Sequence, residues 1–271
     1  MKNSIIFCWL LLLFIGCKTY KTKTDEEHGN FSIRQSHIYT TVMMDDTIQL
    51  DMEFDTGCIV GCILKPEFSE YHKLTFDSIE LTYPKKYTFD WKNCDGMFAP
   101  NYKTDTNCWH IDFKKHRLEV LKNDTIIRGD LEYPITYGKN HYGIFTKIPA
   151  TLISNKDTIQ TNYTYLIDTG TPFAFAILDP DKYFLRFKNK SNHEETSRKG
   201  NKYICRINLD RIYLSPNIII DSLKSFINYG NGSFKPSCPE SVGTIGLGIF
   251  KHFDTYIDLK NKKLILKSYK N

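Results

Sequence analysis

Two carboxylates stand in the same short phrase of this chain. Asp55 opens Asp-Thr-Gly within "MEFDTGCIVGC" (52–62), and Asp168 opens it again within "YLIDTGTPFAF" (165–175), 113 positions on (168 − 55). A single Asp-Thr-Gly is an ordinary turn, in which Asp caps, Thr bonds back and Gly frees the backbone. At average residue usage the triplet arises by chance about 0.05 times in such a chain. Two copies, each behind an apolar strand, point to a shared purpose. Carboxylates brought within hydrogen-bond distance cannot both ionise, so they hold one proton between them. One is then a base that activates water, and the other an acid that polarises a carbonyl. That is a general acid–base pair for peptide hydrolysis without a covalent intermediate. Gly57 and Gly170 allow close approach of the two loops, and the hydroxyls of Thr56 and Thr169 can cross-bond the opposite loop.

Loops that meet in this way need matching supports, and the chain repeats them. "TTVMMDDTIQLDMEFDTG" (40–57) parallels "ATLISNKDTIQTNYTYLIDTG" (150–170), each a strand, a polar turn, Asp-Thr-Ile-Gln and a second strand ending in the acidic loop. This is a β-hairpin written twice. Further on, "DGMFAPNYKTDTNCWHIDFKKHRLEVL" (95–121) parallels "VGTIGLGIFKHFDTYIDLKNKKLIL" (242–266), each a Gly, an apolar cluster, Ile-Asp, a basic turn and a closing apolar strand. The pattern predicts an all-β protein of two pseudo-symmetric lobes, 34–125 and 126–271. Helix is expected only in a turn after Pro66, near 179–186 and near 249–252, and the polar run 187–202 reads as an exposed loop.

Composition agrees. The 271 residues are 41% hydrophobic, 25% charged and 14% aromatic, enough for sizeable cores and rich in strand formers. The net charge of +5 comes from scattered Lys, and "KKHR" (114–117) and "KNKK" (260–263) read as solvated hairpin turns. With no aromatic-basic stripe beside them, a nucleic-acid partner is not expected.

The first seventeen residues, "MKNSIIFCWLLLLFIGC", are a separate object. The run Ile5–Ile15 is too short to span a bilayer and reads as the apolar region of a signal peptide. Gly16-Cys17 resembles a bacterial lipoprotein processing site, which makes Cys17 the lipidated first residue of the mature chain; ordinary secretion is the alternative. Residues 18–33 read as a flexible tether. Eight Cys less Cys8 and Cys17 leaves Cys58, Cys62, Cys94, Cys108, Cys205 and Cys238, an even count that suggests disulfides in an exported chain. Cys58 and Cys62 lack a second Cys or His pair at matching spacing, so no metal is expected.

With both Asp-Thr-Gly loops and a later apolar-Gly segment in each half, the chain resembles the pepsin/retropepsin clan of aspartic proteases from about residue 34 to its end. The resemblance implies a bilobal acid-protease fold, no cofactor, a monomer, and a peptide or protein substrate in the cleft between lobes. It makes Asp55 and Asp168 the catalytic pair, supported by Thr56, Gly57, Thr169, Gly170 and Thr171. "GTIGLGIF" (243–250) matches the supporting strand, centred on Ile245 and Gly246. In the first lobe Gly96 opens the matching segment, with Ala99 where the supporting Gly is expected, and Cys58 stands where the family usually has Ser. The hairpin 79–91 corresponds to a flap, with Tyr83 or Tyr87 as its tyrosine or as plain strand aromatics. By the same resemblance Cys205–Cys238 is a bridge within the second lobe, and Cys94–Cys108 would brace the first, with free buried thiols as the alternative for both; Cys58 pairs with Cys62 or Cys94, or is a thiol beside the dyad. The reading is thus an exported, membrane-anchored aspartic endopeptidase, or else a catalytically silent lipoprotein that uses the same cleft to bind a peptide or glycan.

Overall fold

The computed structural model describes residues 29–269 apart from 59–60, 69–72, 82–92, 122–125, 140–142, 179, 200–201 and 231–240. The first sheet holds β1 (Phe31–Arg34), β2 (His37–Met44), β3 (Ile48–Phe54), β4 (Cys62–Leu64), β5 (Leu74–Phe76), β6 (Ile79–Leu81) and β7 (Gly96–Phe98). The second, of twelve strands, holds β8 (Cys108–Asp112), β9 (Arg117–Leu121), β10 (Leu131–Tyr137), β11 (Ile144–Ser154), β12 (Asp157–Ile167), β13 (Phe175–Ile177), β14 (His193–Lys199), β15 (Lys202–Ser215), β16 (Ile218–Gly230), β17 (Ser241–Ile245), β18 (Phe253–Asp258) and β19 (Lys263–Ser268). Among the described residues two short α-helices accompany them, α1 (Lys182–Lys190) and α2 (Leu247–Phe250), with a 3₁₀ turn at Pro66–Phe68. The protein is therefore all-β and bilobal.

Tight turns set the registers. Asp45 and Asp46 both have positive φ (51° and 57°), as do Asn155 and Lys156 (49° and 64°). Two consecutive left-handed residues turn the chain with a twist that matches its strands; alone they join β11 to β12, and with Thr47 as a third loop residue they join β2 to β3. Alternation does the rest: on β2 and β3, Ile38, Val42, Leu50, Met52 and Phe54 face the core.

The lobes are stitched by the two closing hairpins. β8 pairs antiparallel with β18, so the β8–β9 hairpin of the first half lies in the same sheet as β18–β19 of the second. His110 faces Tyr256 in that register, and the rings stack with centroids 4.3 Å apart and 2° between planes. As each is the central residue of its Ile-Asp repeat, the pseudo-twofold axis passes between them. Beneath, Trp109 stacks on Phe54 and Phe76 (5.3 and 5.8 Å), tying this joint sheet to the first.

Two sequence expectations need correction. Phe31–Arg34, the end of the expected tether, is strand β1, anchored by Phe31 against Phe113 and by its N–H on the carbonyl of His116. The run 187–202 is not a loop: its start finishes α1, where Phe184 and Phe187 bury the helix, and its remainder forms β14 and the beginning of β15. His193, Glu194 and Glu195, which open β14, are exposed.

Candidate active site

Each acidic loop leaves the end of a strand held between a parallel neighbour and an antiparallel one. β3 runs parallel to β7, and β12 runs parallel to β17. Beyond the strand ends, the N–H of Asp55 donates to the carbonyl of Phe98 (2.9 Å) and that of Asp168 to the carbonyl of Ile245 (3.0 Å). β4 and β13 cover the far sides of β7 and β17 in equivalent register. The expected support Ile245 thus acts through its carbonyl, and its counterpart is Phe98. Gly96 is matched instead by Gly243: an added Cβ would lie 2.3 Å from the Ile63 carbonyl oxygen or 1.9 Å from that of Ala176. Ala99 is the residue that matches Gly246.

The two threonines do what their position suggested. Thr56 Oγ1 donates to the carbonyl of Ile167 (2.9 Å) and accepts from the N–H of Thr169 (3.0 Å). Thr169 Oγ1 donates to the carbonyl of Phe54 (2.9 Å) and accepts from the N–H of Thr56 (2.9 Å). Both side chains are fully buried. Four reciprocal bonds leave no freedom for one loop to slide past the other, and every buried polar group among them is satisfied.

The carboxyls meet above this lattice. Gly57 N–H donates to Asp55 Oδ1 (2.7 Å), and Gly170 N–H donates to Asp168 Oδ1 (2.9 Å) and to Asp55 Oδ1 (3.2 Å). An oxygen of each carboxyl thus lies on the one N–H of Gly170. A Cβ on Gly57 would lie 2.7 Å from Asp168 Oδ1, and one on Gly170 would lie 2.6 Å from Asp55 Oδ2. Both glycines are therefore needed for space, because the other lobe's carboxyl occupies the place of their side chain. Burial, then the charge of Asp168 and the hydrogen bond to it, push the carboxyl of Asp55 well above the usual range, against the opposing Gly57 N–H. Such a pair holds one proton between its two macroscopic titrations.

The surroundings are not symmetric. Thr171 Oγ1 donates to Asp168 Oδ2 (2.7 Å) and lies 3.3 Å from Thr244 Oγ1. In the first loop the equivalent position holds the buried thiol of Cys58, whose N–H bonds the Asp55 carbonyl as the N–H of Thr171 bonds that of Asp168. Two contributors escaped the sequence reading. Tyr102, buried, donates its hydroxyl to the carbonyl of Thr56 (2.7 Å), and burial pushes its phenol well up; no motif marks it. Glu53, buried on β3 two residues before Asp55, has its Oε1 2.6 Å from His37 Nδ1. A charged residue inside an apolar strand was its signal.

Other expected residues fall elsewhere. Cys94 and Cys108 do not pair: both are buried thiols, Cys94 beside the first sheet and Cys108 packed with Tyr256 and Ile265 on the joint sheet. Cys62 is likewise a buried thiol with no bridge, pushed up beyond ordinary values by burial. Cys205 is a buried thiol, and its expected partner Cys238 lies outside the described residues, as do Cys17, Tyr83 and Tyr87. Among the described residues, His110, Asp112 and Asp254 bring three possible metal-ligand atoms within 4.8 Å of one another. Both nitrogens of His110 are already engaged there, Nδ1 by Glu119 (2.8 Å) and Nε2 by Asp254 (2.5 Å).

No protein-family model matches the chain, and no curated protein matches it in sequence. Among solved structures it is similar to the aspartic proteinase from Irpex lacteus, with a TM-score of 0.54 and 12% identity over 86% of this chain and 94% of that one. At that identity the likeness establishes the architecture: the chain has the bilobal all-β fold of a pepsin-like aspartic proteinase.

Proposed function

We propose that the chain is an aspartic endopeptidase, exported as a lipoprotein anchored at Cys17 and acting on a peptide or protein held between its lobes. One observation carries the reading: two carboxyls from symmetric loops converge on the single N–H of Gly170, each filling the space beside the other loop's glycine. Asp55, whose carboxyl burial raises well above the usual range, takes the part of the acid and Asp168 that of the base. Asp168 takes a proton from a water as its oxygen attacks the scissile carbonyl carbon, while Asp55 gives its proton to the carbonyl oxygen. The C–N bond of the resulting tetrahedral diol then breaks as the nitrogen takes the proton from Asp168 and a diol hydroxyl gives its proton to Asp55, releasing acid and amine and restoring the singly protonated pair. Extended peptide would be held by backbone pairing to strand edges, with side chains in flanking pockets.

The test is the pair of variants Asp55→Asn and Asp168→Asn, which leave shape nearly unchanged. Each should lose peptide cleavage by at least about 10³-fold while unfolding at a temperature close to the parent's. Undiminished cleavage by either would exclude the dyad.

Cys58 favours one second reading, a silent binding protein on the same fold, because a thiol is a weaker donor than the hydroxyl at Thr171. A transition-state mimic of the statine type separates the two. Stabilisation against heat that vanishes in Asp55→Asn belongs to the enzyme, and no stabilisation at any acidic pH belongs to the binder.

A further inference from the structure

Beside the dyad, on the same face of the first sheet, lies an ion pair that the acid–base chemistry above does not use. β2 and β3 pair with Ile38 opposite Phe54 and Tyr39 opposite Glu53. Residues opposite one another in an antiparallel pair share a face, and their neighbours two along share it too. Continuing the register by one residue sets His37 beside Asp55. Glu53 and Asp55 are two residues apart on one chain, about 7 Å along the strand. His37 Nδ1 and Glu53 Oε1 are 2.6 Å apart, with the Glu53 side chain 7% exposed and that of His37 30% exposed.

We propose that His37 and Glu53 are positioning residues for the dyad: a charge pair on the face of β2 and β3 that carries Asp55, which sets how tightly the dyad holds its shared proton. This rests on the endopeptidase reading only for its kinetic readout.

Burying a carboxylate in an apolar strand is costly unless it is used. Glu53 is buried in a strand whose alternate positions are Met52 and Phe54, and His37 is its ion-pair partner. Electrostatic influence runs both ways across the pair: the charge of Glu53 adds to the burial and the Asp168 charge that raise Asp55, while Glu53 and Asp168 together favour the protonated form of His37 against its desolvation. The other charged or titratable groups facing this pair are few. Arg34 on β1 is bound to Asp51 (2.6 Å) and lies over the ring of Tyr39 (3.8 Å), so its charge is largely committed. Tyr39 and Cys94 both feel Glu53, and burial pushes both above their ordinary values, so both stay neutral at working pH. Asp95 is held by the N–H of Asp51 and by Lys65. Among the described residues, His37 is therefore the group whose charge can change near neutral pH and be felt at the dyad.

The sign differs for the two halves of the pair. Removing the Glu53 charge weakens the hold of Asp55 on its proton. Removing the His37 charge leaves Glu53 uncompensated and strengthens that hold. A unit charge about 7 Å away in a half-buried site moves a carboxyl by about one pH unit.

The experiment compares wild type, Glu53→Gln, His37→Gln and the double variant by two readouts on the intact chain. One is the pH dependence of kcat/KM on a fluorogenic peptide; the other is the ¹³C-carboxyl NMR titration of the dyad aspartates, which requires no turnover. Expected is a basic limb and an upper dyad titration moved about one unit down in Glu53→Gln, up in His37→Gln, and close to wild type in the double variant. Movement in the same direction for both single variants, or loss of kcat with both titrations unmoved, would make the pair merely structural and overturn the proposal. If Glu53→Gln does not fold, His37→Gln and Glu53→Asp still decide it, since only the former should move the titration upward. Opposed NMR shifts in a chain that cleaves no peptide would sustain this proposal while removing the endopeptidase reading.

Discussion

Ala99 and Gly246 hold the same place in the two lobes, and each faces its opposite. The N–H of Ala99 donates to the carbonyl of Gly61 (2.6 Å), and the N–H of Gly246 donates to the carbonyl of Ala174 (3.2 Å). The glycine has changed strands between the halves while the alanine–glycine contact persists. This is why Ala99 can depart from the expected glycine without loss of the support beneath Asp55.

The two glycines serve different needs. Gly246 has φ −133°, open to any residue, but an added Cβ would stand 2.2 Å from the carbonyl oxygen of Thr171. Gly246→Ala must therefore move the loop that carries Asp168, costing about 1–3 kcal/mol and most of the activity. Gly61 has φ +82°, so Gly61→Ala should cost about 1–2 kcal/mol by backbone strain alone. Ala99→Gly should cost no more than about 1 kcal/mol, from backbone entropy. Denaturant midpoints of the three variants check this order.

Cys58→Ser gives the first loop the hydroxyl that Thr171 supplies to Asp168 in the second. A hydroxyl donating to ionised Asp55 favours its charged form and lowers its pKa. The basic limb of the pH–rate profile should move down, and acidic-side kcat/KM should hold or rise. A limb that stays in place would show that residue 58 does not address the Asp55 carboxyl.

How much of this was legible beforehand depended on how local each signal was. The dyad, its threonines and its glycines could be read because Asp-Thr-Gly compresses acid, cross-bond and space into three consecutive residues. The supporting strand was read correctly at Ile245 but blurred in the first lobe, where Gly96 drew notice and Phe98 carries the carbonyl, since a backbone acceptor has no residue signature. The repeated Asp-Thr-Ile-Gln was misleading in detail: Asp46 lies in its turn while Asp157 already begins β12. The second hairpin arm is longer, so equal words fall at unequal heights. Tyr102 was invisible because it reaches Thr56 across 46 positions of chain. The Cys94–Cys108 bridge failed because an even count of cysteines says nothing of which sheet each one joins.

Thr56→Val keeps shape but removes a buried donor and acceptor, leaving the carbonyl of Ile167 and the N–H of Thr169 unpaired. Two orphaned buried groups cost about 2–5 kcal/mol. Thr56→Ser keeps the hydroxyl and should stay within about 1 kcal/mol of the parent. Chemical denaturation followed by tyrosine or tryptophan fluorescence compares them; equal stability of the two would mean the hydroxyl carries nothing.

Anchoring is tested at the other end of the chain. If Cys17 is lipidated, Cys17→Ser should move the expressed protein from the detergent phase to the aqueous phase on Triton X-114 partition. Among the described residues no helix is long and apolar enough to cross a membrane, so a chain that stays in detergent after the substitution would need another anchor.

The joint sheet should carry its own pH signature through His110. Burial disfavours its charge, but hydrogen bonds to Asp254 and Glu119 outweigh it, and the imidazole sits above its ordinary value. For Asp254, burial opposes ionisation while His110 and Tyr256 outweigh it, and its carboxyl sits below the ordinary value. A raised group stabilises fully below its unfolded pKa and loses that contribution as pH rises through the folded value; a lowered carboxyl stabilises above its unfolded pKa and loses it as pH falls through the folded value. The pair therefore contributes in full between the ordinary values of 3.8 and 6.5. Asp55, also raised, adds its own decline on the alkaline side, so the measurement belongs in Asp55→Asn. In that background the melting temperature should hold a plateau across the window and fall above it. His110→Gln, which leaves Glu119 and Asp254 facing each other's charge with no cation between, should cost about 2 kcal/mol at pH 5.5 and distinctly less at pH 9. An equal cost at both would mean that the His110–Tyr256 stack, rather than the imidazolium, is what joins the lobes at their axis.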